Sequence, residues 1–141
     1  MAGLEDLYRE IVLDHYKSPR NRGELDAPPA VRAHEKQLTA YTLRALEDRF
    51  EGRLHLYGPR DIEVRGGAVS FLFDGIHAHD ISQVLDEDAV CVRAGHHCAK
   101  PLMRALGVPA AARASWYVYN DCSDVDALVE AIGSADEVFG F

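Results

Sequence analysis

The stretch Arg93-Ala94-Gly95-His96-His97-Cys98-Ala99-Lys100-Pro101-Leu102-Met103 decides how the chain is read. A short apolar run, Val90-Cys91-Val92, leads into Arg93 and predicts a strand. Gly95 then opens a loop. Pro101 suits the first turn of a helix, where its missing N–H is not needed. Leu102, Met103 and Leu106 give that helix an apolar face. Cys98 is thus expected between a strand end and a helix start. A helix N-terminus, Arg93 and the neighbours His96 and His97 all favour the thiolate form, which is the form that reacts. The plainer alternative is a cysteine that falls near a turn by chance.

Working outward, the rest of the chain alternates helical and extended patterns. Leu4, Leu7, Tyr8, Ile11, Val12 and His15 follow helical spacing and predict an N-terminal amphipathic helix. It should end before Pro19, and Pro28-Pro29 reads as a linker. Leu38, Tyr41, Thr42, Ala45 and Leu46 predict a second helix over 31–49. Residues 53–57 and 69–73 alternate as strands, and a short helix should follow His77-Ala78-His79-Asp80. Ser115-Trp116-Tyr117-Val118-Tyr119 has strand composition, with the three aromatic side chains expected in the core. Ser123 with Asp126 resembles a capping box opening a last helix, whose face is Val125, Leu128, Val129, Ile132 and Phe139. The pattern predicts an α+β fold, a small antiparallel or mixed sheet with helices packed on one side.

Composition bounds the function. The chain has 141 residues, 48% of them hydrophobic, which suffices for one domain with a real core. A formal charge of −8 argues against nucleic acid or an anionic membrane as partner. No apolar run approaches a membrane span, and the N-terminus lacks the basic and apolar regions of a secretory signal. Three cysteines, Cys91, Cys98 and Cys122, do not describe a disulfide framework. A cytoplasmic protein with reduced thiols is expected. Cys91 is expected in the core and Cys122 in a polar turn.

Several constellations around Cys98 stay open on residues alone. His77, His79, His96, His97 and Cys98 could be weighed as zinc ligands, but adjacent side chains rarely converge on one ion and no Cys-x-x-Cys occurs; no metal is expected. A Cys–His catalytic pair needs a third group to orient the base, and none is identifiable. Arg93 and Arg113 could point forked donors at a carboxylate, or could be surface arginines.

The stretch 93–103 closely resembles the active-cysteine segment of SufS-type (group II) cysteine desulfurases, in the class V aminotransferase family. Ala33-His34-Glu35, Gly75-Ile76-His77-Ala78-His79-Asp80-Ile81 and Ala112-Arg113-Ala114-Ser115 through Tyr119-Asn120 resemble further segments of that family's C-terminal domain, in the same order. The resemblance covers about residues 31–141. By contrast, Leu7-Tyr8-Arg9-Glu10-Ile11-Val12-Leu13-Asp14-His15-Tyr16 through Gly23 resembles the opening of SufU/IscU-type iron–sulfur scaffold proteins, over about residues 4–25. The expected organisation is a scaffold-like segment, 1–29, fused to a desulfurase-like C-terminal domain, 30–141.

This resemblance implies the fold of the C-terminal domain of fold-type I class V aminotransferases and a place in iron–sulfur cluster assembly. It implies that Cys98 is the persulfide-forming cysteine, that Arg113 and Arg93 contact substrate, and that Gly95, His96 and His97 support the loop. It also implies pyridoxal phosphate, held through a lysine. Lys17, Lys36 and Lys100 are the lysines of the chain, and none matches that lysine's context. The isolated chain is therefore expected to bind no cofactor and not to cleave cysteine alone. The expected function is a truncated, desulfurase-like sulfur acceptor, with a desulfurase or an iron–sulfur scaffold as partner, or a homodimer. The rival readings are a non-catalytic interaction module and a gene-fusion relic that pairs with an intact desulfurase or scaffold.

Overall fold

The computed structural model describes residues 29–139, so the predicted helix at residues 4–16 lies outside the described residues. Eight elements follow: α1 (Pro29–Arg49), β1 (Leu54–Tyr57), β2 (Ala68–Phe73), α2 (Ala78–Glu87), β3 (Arg93–Gly95), α3 (Lys100–Leu106), β4 (Ala111–Ser115) and α4 (Cys122–Phe139). The strands form one antiparallel sheet in the order β1-β2-β4-β3, and the fold is α+β.

Strict alternation in β2 fixes which face of the sheet is covered. Val69, Phe71 and Phe73 are buried, while Ser70 and Leu72 on the other face are half-buried. Pairing carries the division across the sheet: Val69 opposes Ala114, and Phe71 opposes Ala112. The small alanines of β4 leave room for Ile81 and Leu85 of α2, Leu38 and Leu46 of α1, and Val125, Leu128 and Ile132 of α4 in the same core. Both α1 and α2 pack on the sheet, and α4 lies against both helices.

The other face carries a polar row. Tyr57 opposes Ser70, Ser70 opposes Arg113, and Arg113 opposes Arg93, so these four side chains share the face away from the core. At the β1 end, Arg65 is 6% exposed and donates hydrogen bonds to the carbonyls of Tyr57 (2.7 Å), Pro59 (2.7 Å) and Ala68 (3.2 Å). Arg32 in turn donates to the Arg65 carbonyl at 2.7 Å, tying the β1–β2 connection to α1. Burial pushes the Arg65 guanidinium below its ordinary pKa, and Arg60 adds to this.

Six expectations are corrected. The apolar run Val90-Cys91-Val92 is not a strand; pairing begins at Arg93, and Gly95 closes the strand. Cys91 is exposed, because the run turns off from Ala89, which has a left-handed φ of 59°. Strand β4 lies earlier than its aromatic composition suggested, at Ala111–Ser115. Trp116 is core, but Tyr117 and Tyr119 are exposed, since the chain turns there and Asn120 Oδ1 accepts from the Tyr117 N–H. In α3 only Met103 is buried, with Leu102 54% and Leu106 41% exposed, because the seven-residue helix packs by one edge. The capping box of α4 sits two residues earlier, so Cys122 begins the helix. Asp121 accepts from the Ser123 N–H at 2.8 Å, and Asp124 accepts back from the Asp121 N–H at 3.0 Å.

Candidate functional site around Cys98

The site is built where β3 ends and α3 begins. Gly95 closes β3 with φ 120°, a conformation that favours glycine. His97 and Cys98 then take left-handed φ values of 51° and 60°. Two consecutive non-glycine residues in that region are costly, and such strain collects at functional loops. The Ala99 N–H donates to the His96 carbonyl at 2.7 Å and closes the turn, after which Lys100 and Pro101 start α3. The turn leaves the Cys98 side chain exposed.

Cys98 faces a hollow of about 340 Å³ lined by His77, His79, Arg93, His96, His97 and Pro109, with backbone from Ala94 and Gly95. Helix α2 supplies two of the histidines. His77 is its N-cap, with Nδ1 accepting from the His79 N–H at 3.3 Å. The two imidazoles stack with centroids 5.3 Å apart and planes 16° from parallel. Strand β3 supplies Arg93, whose Nη2 lies 3.9 Å from Cys98 Sγ, within reach of a sulfur hydrogen bond.

Arg93 is directly opposite Arg113 in the β3–β4 pair. Like charges in that position destabilise a sheet unless an anion lies between them. Among the described residues neither arginine has a carboxylate partner, and Arg113 Nε is buried without a hydrogen bond. Behind the loop, both ring nitrogens of His97 are buried, and the ring lies against the backbone of Ala111. Burial pushes the His97 pKa down and the Arg113 charge adds to it, outweighing the Ala111 backbone contact that works the other way.

Of the residues the sequence points to, the fold gathers Cys98, Arg93, Gly95, His96 and His97 around one hollow, with Arg113 paired to Arg93. Not assigned to the site were His77 and His79. Their signal was the His-x-His pattern before a helix, but only the packing of α2 against β3 brings them to Cys98. Among the described residues, no three His, Cys, Asp or Glu side chains converge as metal donors. Lys36 is ion-paired with Glu63 at 2.5 Å, and among the described residues neither Lys36 nor Lys100 lines the hollow, so neither of these two amines is placed for an imine there. Lys17 lies outside the described residues. Among the described residues no helix is long and apolar enough to cross a membrane.

Comparison with known proteins identifies the family. Residues 27–128 match the family described as aminotransferase class-V. The chain is 50% identical over 111 residues to a probable cysteine desulfurase 2 of Mycobacterium leprae, covering 79% of this chain and 26% of that protein. It is 49% identical over 110 residues to a probable cysteine desulfurase of Halobacterium salinarum, covering 78% and 26%. Among solved structures, the apo cysteine desulfurase of Thermococcus onnurineus superposes with a TM-score of 0.69 at 35% identity, covering 77% of this chain and 26% of that one. The Escherichia coli cysteine desulfurase CsdA, in an S-sulfonic acid form, gives 0.65 at 34% identity over the same shares. The chain thus spans about a quarter of the length of these relatives, at 26%. From its family match, its α+β sheet and its relatives, the chain belongs to the class V aminotransferase family and is cysteine desulfurase-like.

Proposed function

We propose that this chain is a sulfur-accepting domain of the SufS (group II) type, working in cytoplasmic iron–sulfur cluster assembly, with Cys98 carrying sulfane sulfur as a persulfide. The observation that carries this reading is the exposed Cys98 Sγ lying 3.9 Å from the Arg93 guanidinium, in a hollow that no carboxylate of the described residues lines. The Cys98 thiolate attacks the outer sulfur of a donor persulfide. A new S–S bond forms at Cys98, the donor's S–S bond breaks, and its inner sulfur leaves as a thiolate. Arg93 neutralises the charge that then sits on the outer sulfur. Arg113 supports Arg93 from the neighbouring strand and offers a second forked donor to a substrate carboxylate. Gly95, His96 and His97 hold the loop.

The donor is an intact desulfurase, and the recipient an iron–sulfur scaffold protein. In this reading residues 1–29 form a scaffold-like segment that directs the domain, 30–141, to that machinery, as a homodimer or with the partner enzyme. The test is to mix the chain with sulfur-labelled cysteine and a catalytic trace of an intact desulfurase. Label should accumulate on Cys98 and be absent from Cys98→Ala. Label that stays wholly on the desulfurase contradicts the relay.

A second reading, a non-catalytic interaction module, has its own support. Tyr117 (52%), Val118 (49%) and Tyr119 (81%) are exposed in one short segment, and Leu102 and Leu106 are exposed on α3. Such a module would bind a desulfurase equally well with Cys98→Ala, whereas the relay loses its labelled product.

A further inference from the structure

The hollow at Cys98 has a charge character opposite to that of the chain. The protein carries a formal charge of −8, yet among the described residues no Asp or Glu lines the hollow. Its lining is Arg93, His77, His79, His96 and His97 around one thiol, with Arg113 directly opposite Arg93. Asp80, beside His79 on α2, is exposed and does not line it. Arg93 opens onto the hollow, its pairing with Arg113 costs stability by itself, and Arg113 Nε behind it has no hydrogen bond among the described residues, so the site lacks acceptor atoms. At about 340 Å³ the space admits a small anion beside the sulfur.

We infer that the hollow takes a small inorganic anion bearing sulfane sulfur, of the thiosulfate class, as a direct sulfur donor to Cys98. This deepens the proposed sulfur-accepting role and rests on it. The anion's oxygens are held by Arg93 and by N–H groups of the histidines, which leaves its outer sulfur toward Cys98 Sγ. The Cys98 thiolate attacks that sulfur. One S–S bond forms at Cys98, the bond to the sulfonate sulfur breaks, and sulfite leaves with the electron pair. The total charge is unchanged, and no oxidant, reductant or further cofactor is needed. Returning Cys98 to the thiolate requires a nucleophile of the thiol or cyanide class, which removes the outer sulfur as a hydropersulfide or thiocyanate.

The experiment uses the full chain with thiosulfate, with cyanide as acceptor, and follows sulfite and thiocyanate. The expected result is equal release of both, abolished in Cys98→Ala. The KM for thiosulfate should rise about tenfold in Arg93→Ala, with a smaller change in kcat, as loss of an anion contact predicts. On the unaltered chain, sulfate should inhibit competitively, which tests anion recognition even if the variant fails to fold. A chain that gains sulfur from glutathione persulfide but releases no sulfite from thiosulfate overturns this inference and leaves the relay standing. A chain that accepts sulfur from neither donor overturns both. Absence of sulfate competition, or an unchanged KM in a folded Arg93→Ala, overturns the assignment of the hollow as the anion site.

Discussion

Arg93 Nη2 stands 3.9 Å from Cys98 Sγ, and this contact joins the end of a sheet strand to a loop held in strained backbone. Strand pairing fixes the backbone of Arg93 opposite Arg113, so the root of the side chain does not depend on the loop for its place. If it assists the sulfur nucleophile, Arg93→Ala should slow alkylation of Cys98 by iodoacetamide about three- to tenfold. Peptide mapping separates Cys98 from the exposed Cys91 and Cys122, whose rates should not move. Equal rates at Cys98 in the two proteins would show that the contact carries no chemistry.

Gly95→Ala probes the strain in the loop. A Cβ at Gly95 meets only His79 Nε2, at 3.9 Å, so space is not the obstacle. The φ of 120° is the obstacle, and the variant should lose about 1–3 kcal/mol in urea unfolding. Its Cys98 reactivity should fall as well, because relaxing Gly95 shifts the loop away from Arg93.

Folding stability should depend on pH through His97. Its folded pKa lies below the ordinary value of 6.5, chiefly from burial and then from Arg113. The unfolded chain therefore binds the proton more readily, so stability is full above the ordinary histidine range and falls as pH drops through it. His97→Gln should flatten that part of the profile, measured by urea midpoints at stepped pH. A profile identical to that of the unaltered chain would remove His97 as the cause.

The remaining structural prediction concerns Arg65. Its guanidinium closes the β1–β2 connection through three backbone carbonyls, those of Tyr57, Pro59 and Ala68. Arg65→Ala leaves them without that donor and should cost about 2–4 kcal/mol by chemical denaturation. Arg65→Lys should recover only part, because an ammonium cannot reproduce the planar fork.

Much of this was readable from the chain, and the failures have physical causes. The helix over 31–49 and the strand over 69–73 were legible because their apolar spacing is set by burial on one face, and they fall at Pro29–Arg49 and Ala68–Phe73. Val90-Cys91-Val92 misled because apolar, β-branched composition reports burial preference and not pairing; the partners of β4 are Arg93, Ala94 and Gly95. Tyr117 and Tyr119 misled for the same reason, since an Asn120 side chain turns the chain at Tyr117. Cys98, Arg93 and the His-His pair are close in sequence, so their proximity was visible. His77 and His79 were not, because they reach the hollow only through the packing of α2 on β3.

The central claim is that Cys98 accepts sulfane sulfur. The most direct measurement is mass spectrometry of the full chain after brief exposure to glutathione persulfide, with trapping of the product and fragmentation to locate it. The account predicts that the peptide carrying Cys98 gains the mass of one sulfur atom ahead of the peptides carrying Cys91 and Cys122, and that dithiothreitol reverses the gain. Sulfur spread evenly over the three exposed thiols, or absent from Cys98, would contradict it.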